Sequence, residues 1–315
     1  MRCIFIYNPN SGKGKINKYL SYVEKVLRSY FSDVEIRASQ KAGDLTAFAK
    51  EACGKCDVLV FSGGDGTFNE VLQGIGREEN RPKLGYIPTG TCNDIARTYG
   101  IPFSVKKAVR NVVKGEARAV DSISINNRFA EYVVCAGAFT NTTYETRQES
   151  KKKFGRLAYF YDGVRRNLVP PTFPVKLTSA TTSVETDSNF ITFINSRSVA
   201  GIPLNRKAVL DDGLLDALIV RVMPNRFKQG KVRGFFKVIK IFLFGVGKSL
   251  MRDSEIVKIR DSRFEVEIPN TISWNYDGEQ GDSGKVVIEV LKQHINLIIP
   301  EKTIRKFEKQ QKISK

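Results

Sequence analysis

Gly63-Gly-Asp-Gly-Thr-Phe-Asn-Glu70 follows directly on the apolar run Asp57-Val-Leu-Val-Phe-Ser62. An apolar run that empties into Gly-Gly-Asp-Gly reads as a buried strand that stops packing side chains and starts presenting backbone. Gly63, Gly64 and Gly66 permit positive φ and carry no Cβ, so a polyphosphate could approach their amides closely. Asp65 between them is placed to handle Mg²⁺ or a metal-bound water beside such a phosphate. Thr67 is expected to cap a helix over 68–75, whose N-terminal dipole also favours an anion. The same residues equally suit a tight strand-to-helix turn, so the motif needs companions.

Two more segments of this kind exist. Asn8-Pro-Asn-Ser-Gly-Lys-Gly14 follows a predicted strand at 2–7, and Pro88-Thr-Gly-Thr-Cys-Asn-Asp94 follows one at 83–87. Neither has the GxxxxGK[ST] spacing of a Walker P-loop. Helical spacing over 15–31, 44–53, 93–99 and 105–114, with a further strand at 34–38, makes the first 120 residues alternate strand and helix. Such alternation predicts a parallel sheet whose ligands gather at the carboxyl ends of its strands. All three loops then lie at one end, where they suit a nucleotide phosphate.

Beyond about residue 118 the texture changes. A hairpin is expected around Asn126-Asn127, and 175–177, 189–194, 214–222, 256–259, 264–268 and 285–291 read as strands. Few crossover helices separate them, which predicts a second, antiparallel domain built as a sandwich or flattened barrel. Helical insertions are expected near 150–167 and 226–249, and a basic helix or tail over 302–315.

The 315 residues are 41% hydrophobic and 27% charged, ordinary values for a globular protein of about two domains. No run approaches ~20 apolar residues, and Met1 leads straight into a strand, so neither a spanning helix nor a signal peptide is expected. Five scattered cysteines fit a reducing cytoplasm. Cys53-Gly-Lys-Cys56 precedes a strand and has no second pair for zinc, so it reads as structural. The formal charge of +18 calls for an anionic partner: nucleic acid, an anionic membrane surface or polyphosphate. No nucleic-acid module is visible, which disfavours the first. Arg226, Lys228, Lys231, Arg233, Lys237, Lys240, Lys248 and Arg252 fall in a run without an acid. With Phe235, Phe236, Ile239 and Phe242 on another face, that run suits an interfacial helix, and equally a buried helix with a solvated basic edge. His294 is the sole histidine, which excludes a Ser-His-Asp hydrolase and a histidine metal site.

Together, Asn8-Pro-Asn-Ser-Gly, Gly63-Gly-Asp-Gly-Thr-Phe-Asn-Glu and Pro88-Thr-Gly-Thr-Cys-Asn-Asp resemble the catalytic domain of the diacylglycerol kinase superfamily, its soluble bacterial members most closely. NAD kinases and phosphofructokinases share only the Gly-Gly-Asp-Gly element. The resemblance implies an ATP- and Mg²⁺-dependent lipid kinase, with diacylglycerol as the leading acceptor, another hydroxylated lipid or long-chain base as the rival, and NAD kinase or a catalytically inactive lipid-binding regulator as the remaining alternatives. Its implied fold class is α/β: a phosphofructokinase-like Rossmann-type nucleotide domain over 1–122, a β-sandwich lipid-binding domain over 123–294, and a segment 295–315 packing back on the first domain. The active site is expected in the cleft between the two domains.

By the same resemblance, Asn8, Pro9, Asn10, Ser11, Gly12, Ser39, Gly64 to Glu70 (Gly64, Asp65, Gly66, Thr67, Phe68, Asn69, Glu70) and Thr91 fall where such kinases contact ATP. Ser39 stands where relatives usually carry Thr and keeps the hydroxyl. Glu279 in Asn275-Tyr-Asp-Gly-Glu matches the general base. Asp212 matches a structural Mg²⁺ site completed by the Val209 and Leu214 carbonyls, and Asp65, Asp94 and Asp121 a carboxylate cluster tied to Mg²⁺ through water. Read without the resemblance, Glu279 and Asp212 suit ordinary solvated turns equally well. The expected setting is cytoplasmic, peripheral to the inner face of the membrane, with a homodimer left open.

Overall fold

The computed structural model describes residues 1–138, 171–199, 204–205, 208–222 and 255–305. The helices expected near 150–167 and 226–249, and most of the basic tail, lie outside the described residues.

The first unit comprises Met1–Ser122, Val209–Asp212 and Lys292–Lys315. Its strands β1 (Arg2–Tyr7), β2 (Asp33–Ala38), β3 (Val58–Gly63) and β4 (Lys83–Pro88) pair in parallel, in the order β4-β3-β1-β2. The helices α1 (Leu20–Arg28), α2 (Asp44–Ala52), α3 (Asp65–Ile75), α4 (Asp94–Thr98) and α5 (Val105–Lys114) connect and cover them. Amphipathic spacing decides the covering faces. In α5 the buried residues are Val105, Ala108, Val109 and Val112, one stripe at i, i+3, i+4 and i+7. They join Phe5, Val23, Leu27, Val60 and Ile87 in one apolar core. Each such Val or Leu contributes about 1.5–3 kcal/mol on full burial.

The continuous helix expected over 15–31 forms in two pieces. Gly12, Lys13 and Gly14 all have φ between 57° and 69° and kink the chain ahead of residue 15, a short 3₁₀ stretch follows to Tyr19, and the α-helix begins only at Leu20. Three left-handed residues in succession cannot enter a right-handed helix.

The second unit comprises Ile123–Ala208 and Gly213–Leu291. Its described strands are mainly antiparallel: β6 (Arg128–Ala130), β7 (Val133–Gly137), β8 (Phe173–Ser179), β9 (Ser183–Ile194), β10 (Leu215–Arg221), β11 (Ile256–Asp261), β12 (Arg263–Glu267), β13 (Ser273–Tyr276) and β14 (Glu279–Ser283). Trp274, Tyr276, Phe193 and Phe264 are buried in its core, and the Trp274 indole donates to the Gly284 carbonyl at 3.0 Å.

The expected split into a Rossmann-type domain and a separate β-sandwich is overturned by the strand pairing. All fifteen described strands belong to one mixed sheet. Two long strands make this so: β5 (Glu116–Ile125) and β15 (Val286–Ile299). The first half of β15 pairs antiparallel with β12, and Leu297 pairs parallel with Leu84 of β4. At ~3.3 Å per residue, a strand this long has room for partners of both kinds. Alternation along a strand reveals its face but not its neighbours, so the sequence showed two textures and not the single hydrogen-bond ladder.

His294, on β15, is structural. Its Nε2 lies 2.7 Å from the Gly76 carbonyl, which can only accept, so Nε2 carries the proton. Burial, with the charges of Arg81 and Arg77, lowers its pKa to about 4. The unfolded chain therefore takes up the proton first, and this contribution to stability is complete above pH ~6.5 and declines as pH falls towards 4. His294→Gln keeps a donor for Gly76 and removes the titration. Urea unfolding at pH 7 and pH 4.5 should show the wild type losing about 2–3 kcal/mol more than the variant. Equal losses would refute this account.

Candidate functional site

Parallel register sets the three glycine loops side by side. Tyr7 is opposite both Ala38 and Ser62, and Gly63 is opposite Pro88, so β1, β2, β3 and β4 end together. The loops are then stitched to one another. Asn8 N–H donates to the Ser62 carbonyl at 3.3 Å, Ser39 N–H to Tyr7 at 2.9 Å, and Thr89 N–H to Gly63 at 2.8 Å. Two glycines are the contact points. A Cβ on Gly12 would collide with the Thr89 carbonyl, and one on Gly90 with the Gly64 Cα. Only glycine lets the three backbones come this close.

The floor beneath them is dry and aromatic. Phe61, Phe68 and Tyr86 pack with ring centroids 5.1–5.4 Å apart, clamping α3 onto β3 and β4. The buried Tyr86 hydroxyl lies 3.2 Å from the Gly63 carbonyl and 3.4 Å from Asn93 Oδ1. Asn93, left-handed at φ 51°, donates through Nδ2 to the Gly90 carbonyl at 2.8 Å. Burial, followed by the nearby carboxylates of Asp65 and Asp94, drives the Tyr86 phenol well above its usual pKa. Both acids thus lie close enough for one phenol to feel them. Asp65 Oδ1 also accepts the Ile95 N–H at 3.2 Å, tying the second loop to α4.

Thr67 does not cap the helix as expected. The helix α3 begins three residues before the expected start at 68, at Asp65, with Gly64 extended at its N-cap and no side-chain cap bond. Thr67 is instead buried against Gly63, where a Cβ would collide with it. An N-terminus without a side-chain cap keeps its first-turn N–H groups oriented towards an anion.

The acids predicted elsewhere fall in two settings. Asp121 is fully buried on β5, where its Oδ1 accepts the Gln293 N–H at 2.7 Å and its own N–H donates to Leu210 at 2.8 Å. Arg118 pairs with Asp211 at 2.9 Å, which anchors the run carrying half-buried Val209 and Asp212; Leu214 is exposed. Among the described residues no three His, Cys, Asp or Glu side chains are gathered to hold a metal directly. Glu279, in the second unit, is exposed at the start of β14. It follows a two-residue turn in which Asp277 (φ 53°) and Gly278 (φ 95°) are both left-handed, the pattern of a type I′ hairpin.

Burial pushes the Cys56 thiol up to about 11 and Cys3 to about 12, so neither is a thiolate nucleophile at neutral pH. Tyr86, Asn93 and the Arg118–Asp211 pair were missed as site-building residues. Asn93 was visible as the opening of a helix. A strand tyrosine and an ion pair spanning 93 residues carry no local signal.

The family model for the diacylglycerol kinase catalytic domain matches residues 2–125. A diacylglycerol kinase of Bacillus subtilis (strain 168) is 31% identical over 305 residues, 95% of this chain and 97% of the relative. The chain belongs to the diacylglycerol kinase family. A second family member, from Staphylococcus carnosus (strain TM300), is 29% identical over 309 residues, with 95% of each chain covered. The crystal structure of a diacylglycerol kinase from Bacillus anthracis str. Sterne superposes with a TM-score of 0.78 at 26% identity, covering 96% of this chain and 98% of that one. Membership thus extends through the second unit and is not confined to the glycine loops. No helix among the described residues is long and apolar enough to cross a membrane.

Proposed function

We propose that the chain transfers the γ-phosphoryl group of ATP to the hydroxyl of diacylglycerol, yielding phosphatidic acid. The observation that carries this reading is the meeting of three glycine loops at one end of the parallel strands, in a chain that matches its family along nearly its whole length. The residues fit the co-substrate and its metal. The contacts at Gly12 and Gly90 leave no space for a methyl group and that at Gly64 leaves little, α3 starts without a side-chain cap, and Asp65 stands in its first turn. In this reading the segments 8–12, 63–70 and Thr91 hold the triphosphate, with Ser39 beside them. Asp65, with Asp94 and Asp121, would face the water shell of a Mg²⁺ ion, and Asp212 with the Val209 and Leu214 carbonyls would hold a structural one. When bound, Mg²⁺ supplies neutralisation of the charge on the phosphates.

Glu279 takes the proton from the lipid hydroxyl, whose oxygen bonds to the γ-phosphorus as the β–γ bridging oxygen leaves with ADP. The segment 1–122 serves ATP, 123–294 the lipid, and 295–315 completes the first. The acid-free basic run at 226–252 supports attraction to an anionic leaflet, ~1 kcal/mol per Lys or Arg near the surface.

Radiolabelled ATP with Mg²⁺ and anionic vesicles containing diacylglycerol, ceramide or a long-chain base tests the acceptor. Label should appear in phosphatidic acid at least tenfold faster than in the other products, and rising salt should weaken vesicle binding. Preferential labelling of another lipid would replace diacylglycerol as the substrate.

A further inference from the structure

The turn that precedes Glu279 is fastened more firmly than hairpin geometry requires. A type I′ turn is served equally by Asn or Gly at its first left-handed position. Here Asp277 occupies it, only 5% exposed, with a carboxylate that accepts three backbone N–H groups from one neighbouring segment. Oδ2 receives Glu131 N–H at 2.7 Å, and Oδ1 receives Tyr132 N–H and Val133 N–H, each at 3.0 Å. The backbone of Asp277 is held as well: its N–H donates to the Val133 carbonyl at 3.0 Å, and its carbonyl accepts the Tyr132 hydroxyl at 3.1 Å. Asn275 Oδ1 closes the turn by accepting Gly278 N–H at 2.9 Å.

Hydrogen bonds to an ionised acceptor are about twice as strong as neutral ones, and an amide at this position would have one acceptor oxygen in place of two. Burial, and then the neighbouring Asp277 carboxylate, pushes the adjacent Cys135 thiol up to about 12. Among the described residues the strand that Glu279 opens is an edge strand that pairs only with β13, which pairs in turn with β7, and the Asp277 carboxylate fixes the end of that hairpin from which Glu279 departs. Exposed hairpin tips are ordinarily among the least ordered parts of a fold.

We propose that Asp277 is the positioning residue for Glu279: its carboxylate, seated on the N–H groups of residues 131–133, aims the hairpin so that the Glu279 side chain meets the acceptor hydroxyl. The inference rests on Glu279 acting as the general base. It makes Asp277 necessary to turnover without touching substrate.

A double-mutant cycle tests it with the full-length chain, [γ-³²P]ATP, Mg²⁺ and vesicles of diacylglycerol in anionic phospholipid. Asp277→Asn should fold by circular dichroism, keep its KM for ATP, and lose roughly 10–100-fold in kcat, the scale expected for a misplaced catalytic group. In a Glu279→Gln background the same change should add less than about a twofold loss, because the group being aimed is already disabled. An equal loss in both backgrounds, or an undiminished kcat in folded Asp277→Asn, would overturn the proposal while leaving the base assignment intact. Full turnover by Glu279→Gln alone would overturn that assignment and the proposal with it. If Asp277→Asn does not fold, Tyr132→Phe removes the hydroxyl bond to the Asp277 carbonyl and leaves the Asp277 carboxylate in place. A several-fold kcat loss confined to the Glu279 background is then expected, and no loss refutes the positioning role.

Discussion

Glu279→Gln should leave ATP binding intact and lower kcat by roughly 10²–10⁴, the usual contribution of a positioned general base. The exposed carboxylate opens β14 and contributes no core packing, so the melting temperature should stay within a degree or two of wild type. The amide keeps the shape of the side chain and cannot accept the proton of the lipid hydroxyl. Equilibrium binding of a non-hydrolysable ATP analogue separates the two steps: unchanged affinity with lost turnover is the expected pair. Turnover near the wild-type rate would remove Glu279 from the chemistry.

Asp65→Asn should reduce turnover by roughly 100-fold and raise the Mg²⁺ concentration needed for half-maximal rate, the scale seen when a group that orients a metal's shell is removed. Stability should change little. Asn Oδ1 can still accept the Ile95 N–H that Asp65 accepts at 3.2 Å, so the tie between α3 and α4 survives while the negative charge is lost. The readout is a Mg²⁺ titration of the initial rate beside a thermal melt. A large drop in melting temperature with an unaltered Mg²⁺ curve would make Asp65 a structural turn residue and nothing more.

These two acids were legible for different reasons. Asp65 stands in a local pattern, apolar strand to glycine turn to helix, which can be read within about ten residues. Its role needed the companion loops, and the parallel register that aligns Tyr7 with Ser62 and Gly63 with Pro88 brings those loops to one end. Glu279 has no such pattern and entered only through resemblance. Thr67 shows the limit of local rules. A threonine after Gly-Asp-Gly reads as a cap, but burial against Gly63 decided its place, because helix α3 begins as soon as the backbone leaves Gly64. Tyr86 looked like any core aromatic, and its hydroxyl acquires a purpose only where two loops bring Gly63 and Asn93 to it.

From residue order alone came the strand–helix alternation, the glycine loops and the change of texture near residue 118, all of them consequences of periodicity and turn chemistry acting over short separations. Folding decided the rest. Arg118 meets Asp211 across 93 residues, and Asp121 holds Gln293 across 172. Strand β15 joins antiparallel and parallel neighbours in one sheet where a Rossmann-type domain and a separate β-sandwich domain were expected. A strand's pattern specifies which face is buried, whereas its partners are chosen by whichever distant backbone can satisfy its N–H and C=O groups at the same time as that face is covered.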